Sequence, residues 1–280
     1  MGGASEMSLW GRWSLKVGSA PAADSKGQEH DAFLDAADCM ERGVAHELTA
    51  DYLQPLRHSS RLWRFHVERS EDRHEYRLFY GDNDFLLYAH VAHGLKRIDI
   101  YAYDPKDPDH NLFDSEKPAF CLARTVLKDG QEEWRLTQDH CDLCRGASPR
   151  MQFSCSCRAR QDIMIARHSK LAVGDGLNHV LDVDLPGYVC TKDNVKEFST
   201  HRLISKLPSW NKKVGSLVLN FVGRKVEASA KNFQLVSQDN DEKVVCQYGK
   251  IGAESFSLDF HFPLSIVQAF ALSLATVTWS

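Results

Sequence analysis

No segment of this chain carries the marks of a common catalytic centre. A Gly-rich phosphate loop, a nucleophile elbow and a His-Glu-x-x-His zinc motif are all absent, which argues against an enzyme. A surplus of positive charge is missing too: 34 Lys and Arg stand against 38 Asp and Glu, for a net charge of -4. That balance argues against direct nucleic-acid binding, although it leaves room for a local basic patch. The first residues hold no basic stretch followed by an apolar run and a small-residue cleavage site, so no secretory leader is expected. The eight cysteines are then expected as reduced thiols in the cytosol or nucleus. Met1-Gly2-Gly3-Ala4-Ser5-Glu6 departs from a myristoylation signal at Glu6, where Ser or Thr is required.

What is present is the composition of an ordinary globular chain, 43% apolar and 26% charged over 280 residues. Residues 1–55 read as an arm rich in Gly, Ala and Ser. It contains a short amphipathic helix over 31–48, where Phe33, Leu34, Ala37, Met40 and Val44 share a face. That helix either packs outside the main domain or binds a protein partner. Residues 56–280 form the main domain. From Leu62 the period becomes that of strands, with a hairpin signal at Ser70-Glu71-Asp72-Arg73 and a turn at Lys128-Asp129-Gly130. Residues 139–150 and 184–200 read as loops. Near the end, 216–221, 230–236, 244–248 and 255–260 read as four successive strands of a meander, with Gly223 and Gly249 expected at tight turns.

The period then switches. Pro263 is expected in the first turn of a helix that runs from Leu264 to Ala275. Apolar residues occur on all of its sides, so the helix is buried. A membrane anchor fits less well, since the run from Phe262 to Trp279 is short, holds Gln268 and lacks basic flanks. No transmembrane span is therefore expected. A sheet that wraps such a helix closes on itself. The expected fold is mainly β (α+β): a closed antiparallel barrel of about a dozen strands filled by a central hydrophobic C-terminal helix.

Five stretches in order resemble the motifs of the tubby C-terminal domain family. Pro208-Ser209-Trp210-Asn211 resembles its PxW, and Leu219-Asn220-Phe221-Val222-Gly223-Arg224 its LNFxGR. Ala228 to Gln234 resembles ASVKNFQ, and Gln247-Tyr248-Gly249-Lys250 resembles QFGK. Phe262-Pro263-Leu264 with Gln268-Ala269-Phe270-Ala271 resembles YPL followed by QAFA. Upstream, Phe85-Leu86-Leu87, Asp104-Pro105 and Phe120-Cys121-Leu122-Ala123-Arg124 resemble the FLL strand, the VDP turn and the YIGKLR strand. Residues 139–200 match poorly and residues 1–55 not at all. The family's Cys-Glu end is replaced by Trp279-Ser280, and no F-box pattern is recognisable.

The resemblance implies a non-enzymatic protein that binds phosphoinositide headgroups, chiefly phosphatidylinositol bisphosphate, at the inner face of the plasma membrane. An adaptor or regulatory role follows, cytoplasmic, peripheral to the plasma membrane and also nuclear. Arg124 falls on the arginine of the KLR strand. The family's basic run after FLL is replaced by Tyr88-Ala89-His90-Val91-Ala92-His93, with Lys96 and Arg97 coming later. The implied phosphoinositide site is thus Arg124, Lys96, Arg97 and His90. The competing possibility makes Arg124 a rim ion pair and leaves a protein-interaction or transcription-regulatory barrel that has lost lipid binding. Cys141, Cys144, Cys155 and Cys157 could hold a structural zinc, but Cys is also a common core residue; no cofactor is expected. Arg224 and Lys231 are expected in structural roles at the rim, and Gln268 is expected to bond a barrel backbone group. The remaining histidines, including His168 and His179, read as packed or exposed, and Asp182 and Asp184 as solvated or turn-forming.

Overall fold

The computed structural model describes residues 52–56, 61–81, 84–106, 118–138, 162–173, 176–186, 188–190, 195–197, 200–211, 216–221 and 223–279. The candidate helix over 31–48 and the four candidate zinc cysteines lie outside them. Twelve strands, antiparallel at every pairing, close into a barrel. In chain order the first eight are β1 (Trp63–Arg69), β2 (Glu75–Tyr80), β3 (Asp84–Val91), β4 (Arg97–Tyr101), β5 (Phe120–Val126), β6 (Glu132–Gln138), β7 (Asp162–Val173) and β8 (Gly176–Leu185). The chain then makes a small hairpin, β9 (Tyr188–Cys190) with β10 (Val195–Glu197), inside the span expected to be loop. It rejoins the barrel as β11 (His201–Ser205), leaves again for β12 (Ser209–Asn211) and β13 (Ser216–Val218), and completes the wall with β14 (Phe233–Ser237), β15 (Asn240–Lys250) and β16 (Ser255–Phe260). β16 pairs with β1, which closes the ring.

The expected four-strand meander is corrected at its first member. β13 is only three residues long and pairs with β12 in a separate two-stranded sheet. β14 pairs with β11 instead. The described residues of 219–232 form no strand and lie as a strap across the outside of β14, β15 and β16. Period two in 216–221 signalled a half-buried extended chain, and it could not say which sheet the segment would join.

Inside the barrel runs α1 (Ile266–Leu274), followed by a 3-10 turn, Ala275–Thr278. All nine residues of α1 are buried. Its rise together with that of the turn is about 21 Å, close to the ~20 Å of a six-residue strand, so the element fills the lumen from end to end. Pro263 lies outside the helix. Ser265 is the N-cap, and its capping box with Gln268 satisfies two backbone donors that a buried helix start cannot give to water. Gln268 Nε2 also donates to the Ile163 carbonyl at 3.0 Å, the backbone bond expected of it. At the other end Lys231 Nζ donates to the carbonyls of Thr276 at 2.6 Å and Trp279 at 3.2 Å. Tyr52 and Leu53 are buried in the same core, and Tyr52 Oη donates to the Leu86 carbonyl at 2.9 Å. No helix among the described residues is long and apolar enough to cross a membrane.

Candidate functional site

The barrel has two ends, and the strand register sorts the chain between them. The β1–β2, β3–β4 and β5–β6 turns, the β7–β8 hairpin and the exit of α1 share one end. Arg124 sits there, on the side of β5 that also carries the buried Phe120 and Leu122. Its backbone N–H donates to the Lys96 carbonyl at 2.8 Å, so Lys96 is its cross-strand neighbour. Lys96 is exposed and meets no carboxylate among the described residues. Lys170 stands exposed further round the same end, and both Lys170 and Arg124 act electrostatically on His168.

His90 and Arg97 face elsewhere. Ile98 and Ile100 of β4 point inward, which turns Arg97 and Asp99 outward. Arg97 Nε donates to Asp99 Oδ1 at 2.6 Å, and His90 is paired with Asp99 across the strands. Of the four residues that the resemblance implied, the fold brings together Arg124 and Lys96 and places the other two on the outer wall.

Arg124 is engaged by its own chain. Its Nη2 donates to Glu132 on β6, while its Nε is buried and meets no acceptor among the described residues. Glu132 also accepts from Thr278 Oγ1 at 2.8 Å and lies 3.3 Å from His168 Nδ1. Burial penalises the Glu132 carboxylate, but its bonds to Arg124, Thr278 and His168 outweigh that and hold its pKa below the ordinary value. His168 shifts down as well, because burial outweighs the attraction of Glu132. His168 Nε2 and His179 Nδ1 are 2.7 Å apart, one donating and the other accepting, and Trp279 stacks on His179 at 4.8 Å. Thr278 bonds the carboxylate rather than an imidazole, so the group has no activated nucleophile. The group holds the end of α1 in place. The pairing of His168 with His179 had no sequence signal, since ten residues and a hairpin turn separate them.

The residues that resemble the tubby motifs fasten the strap. Arg224 binds both oxygens of the buried Asp259, at 2.9 and 2.6 Å. Gln247 Nε2 donates to Asp259 Oδ2 at 2.9 Å, and Gln234 Nε2 to the Asn220 carbonyl at 2.9 Å. Gly223, at φ +71°, does sit in a turn. Gly249 does not. It lies within β15, where a Cβ would come within 2.8 Å of a Val226 methyl and 3.1 Å of the Phe221 ring, so glycine is needed there for close approach of the strap. Asp182 and Asp184 are not simply solvated or turn-forming: Arg202 pairs with Asp182, and Arg167 reaches Asp184 at 2.6 Å. No group of three or more metal-binding side chains occurs among the described residues.

Comparisons with known proteins point to the same family as the motifs. Residues 147–278 match the model of the Tub family. A 74-residue stretch is 46% identical to tubby protein homolog 1 of Caenorhabditis elegans, covering 26% of this chain and 17% of that protein. The same length is 45% identical to human tubby-related protein 1, covering 26% of this chain and 14% of that one. Over 84 residues the chain is 45% identical to protein king tubby of Anopheles gambiae, covering 30% of this chain and 18% of that protein. The chain thus spans less than a fifth of the length of the curated relatives it matches.

Proposed function

Because the chain carries a tubby-like C-terminal domain, we propose that it is a non-enzymatic phosphoinositide-binding adaptor. In this reading it docks at the inner plasma membrane through the barrel end that holds Arg124. The observation that carries the reading is the placement of Lys96 directly across from Arg124 at that end. Lys170 adds a third cation on a separate strand. Cations from β5, the β3–β4 turn and β7 can close on a headgroup bearing several phosphates, and arginine can engage phosphate through two bonds at once. Arg124 gives Glu132 only Nη2 among the bonds described, which leaves donors for a ligand. Such a protein is cytoplasmic and peripheral to the plasma membrane, with a nuclear pool in the same role, and the N-terminal segment that precedes the core residues Tyr52 and Leu53 addresses a protein partner.

Liposome flotation of the whole chain, with and without phosphatidylinositol bisphosphate, tests this. The wild type floats only with the phosphoinositide. Lys96→Ala and Lys170→Ala each lower partitioning about fivefold, the effect of roughly 1 kcal/mol per basic residue at an anionic surface, with unchanged melting. Flotation that ignores the phosphoinositide, or that survives Lys96→Ala and Lys170→Ala together, overturns the proposal. A second reading, a protein-interaction or transcription-regulatory barrel without lipid affinity, is favoured by the Arg124–Glu132 pair. It predicts that no vesicle of either kind floats the chain.

A further inference from the structure

The outer wall of the barrel is strongly charged, and most of its arginines are neutralised in place. Arg77 reaches Asp104 at 2.6 Å and Arg135 reaches Asp162 at 2.5 Å. Arg167 bridges Asp184 and Glu133, and Arg202 pairs with Asp182. One stretch of wall departs from this rule. Beside the strap opens a cleft of about 880 Å³, lined by the entry to β1, the segment after β11, the start of β15 and the strap itself. Four cations line it: Arg61, Arg64, Lys206 and Lys243. Arg64, Lys206 and Lys243 meet no carboxylate within ion-pair distance among the described residues.

Two carboxylates also line the cleft, Glu242 and Asp259. Asp259 is only 1% exposed, and both its oxygens are taken by Arg224 and Gln247, so its charge is spent within the wall. Gln234 and Gln247, 2% and 1% exposed, give the floor polar character without net charge. Arg64 reaches over the strap turn. Its Nη2 lies 2.7 Å from the place a Cβ would occupy on Gly223, so the bare α-carbon of the strap turn makes room for the guanidinium. Glu242 is the one carboxylate of the lining left to offset the cations, so in a chain of net charge -4 the cleft is a local surplus of positive charge, which attracts an anion.

We propose that this cleft is a binding site for a compact polyanion bearing two or more phosphate groups. The volume lies within the range of ordinary ligand pockets, about 300–1,000 Å³. It takes a small polyphosphorylated molecule or one lipid headgroup. The guanidinium of Arg64 presents a fork to one phosphate, and Lys206 and Lys243 act as point charges on others. The site uses none of the residues of the Arg124 end, so the two proposals stand or fall separately.

Isothermal titration of the whole chain with sodium tripolyphosphate at low salt tests the cleft. The wild type binds. Lys206→Gln/Lys243→Gln weakens binding at least about tenfold, the effect of losing one hydrogen bond to a charged group, with an unchanged melting temperature. Lys206→Arg/Lys243→Arg retains binding, and Lys96→Gln weakens it less than the double Gln change does. Flotation of the same double Gln variant on phosphatidylinositol bisphosphate vesicles tells the source: unchanged flotation assigns the cleft to a soluble polyanion, and reduced flotation to a lipid headgroup. No binding by the wild type, wild-type affinity in the double Gln variant, or an equal loss in Lys96→Gln overturns the assignment.

Discussion

His168 shows how burial sets the behaviour of a single residue. Its ring is enclosed by Glu132, His179 and Trp279, with Arg124 and Lys170 close enough to repel a positive charge. Its folded pKa lies below the ordinary 6.5, chiefly through burial. Between the folded value and 6.5 the unfolded chain therefore binds more protons, and stability falls as pH drops through that window. Glu132 is depressed below 4.5, so its contribution is full above 4.5 and is lost as pH falls further. Thermal melts from pH 7.5 to 5 are expected to show a falling midpoint, and His168→Gln is expected to flatten that slope. An unchanged slope in the variant would place the pH response in other groups. None of this is visible in the order of residues, because the neighbours of His168 come from four other segments.

The strap is the element that the motif residues serve. LNFxGR supplies the segment, and Gln234, Gln247 and Asp259 supply its anchors on three adjacent strands. The sequence motifs marked Gln234 and Gln247 but not Asp259, and both glycines were expected at tight turns. That held for Gly223, whereas at Gly249 the constraint is the 2.8 Å approach of Val226. Gly249→Ala is expected to cost about 1–3 kcal/mol, as overpacking does in a close-packed interface. Chemical denaturation measures this as a lower midpoint with an unchanged slope. A variant as stable as wild type would show that the strap yields freely at that point.

For the whole molecule, the decisive feature is a closed sheet around a helix with no polar face. Phe270, Leu272 and Leu274 are each fully buried, and the helix has no solvent-facing side on which a change would be tolerated. Phe270→Ala is expected to cost about 3–5 kcal/mol through lost burial and the cavity left behind, comparable to the stability of many domains. Equilibrium unfolding measures it, and a loss under about 1 kcal/mol would be inconsistent with a rigid lumen. The closed wall leaves the Arg124 end and the cleft beside the strap as surface features.

Local order in the chain was enough to determine the strand-rich body, the buried terminal helix and hence a closed barrel, since period two, period 3.6 and an all-round apolar face are written residue by residue. The tertiary structure alone decided which cations are free. Arg124 meets Glu132 across a turn, Arg224 meets Asp259 over 35 residues, and Lys206 and Lys243 meet no carboxylate at all among the described residues. Ion pairs form between groups that register and the strap bring within a few ångströms, and such distances between remote segments are set only when the sheet closes.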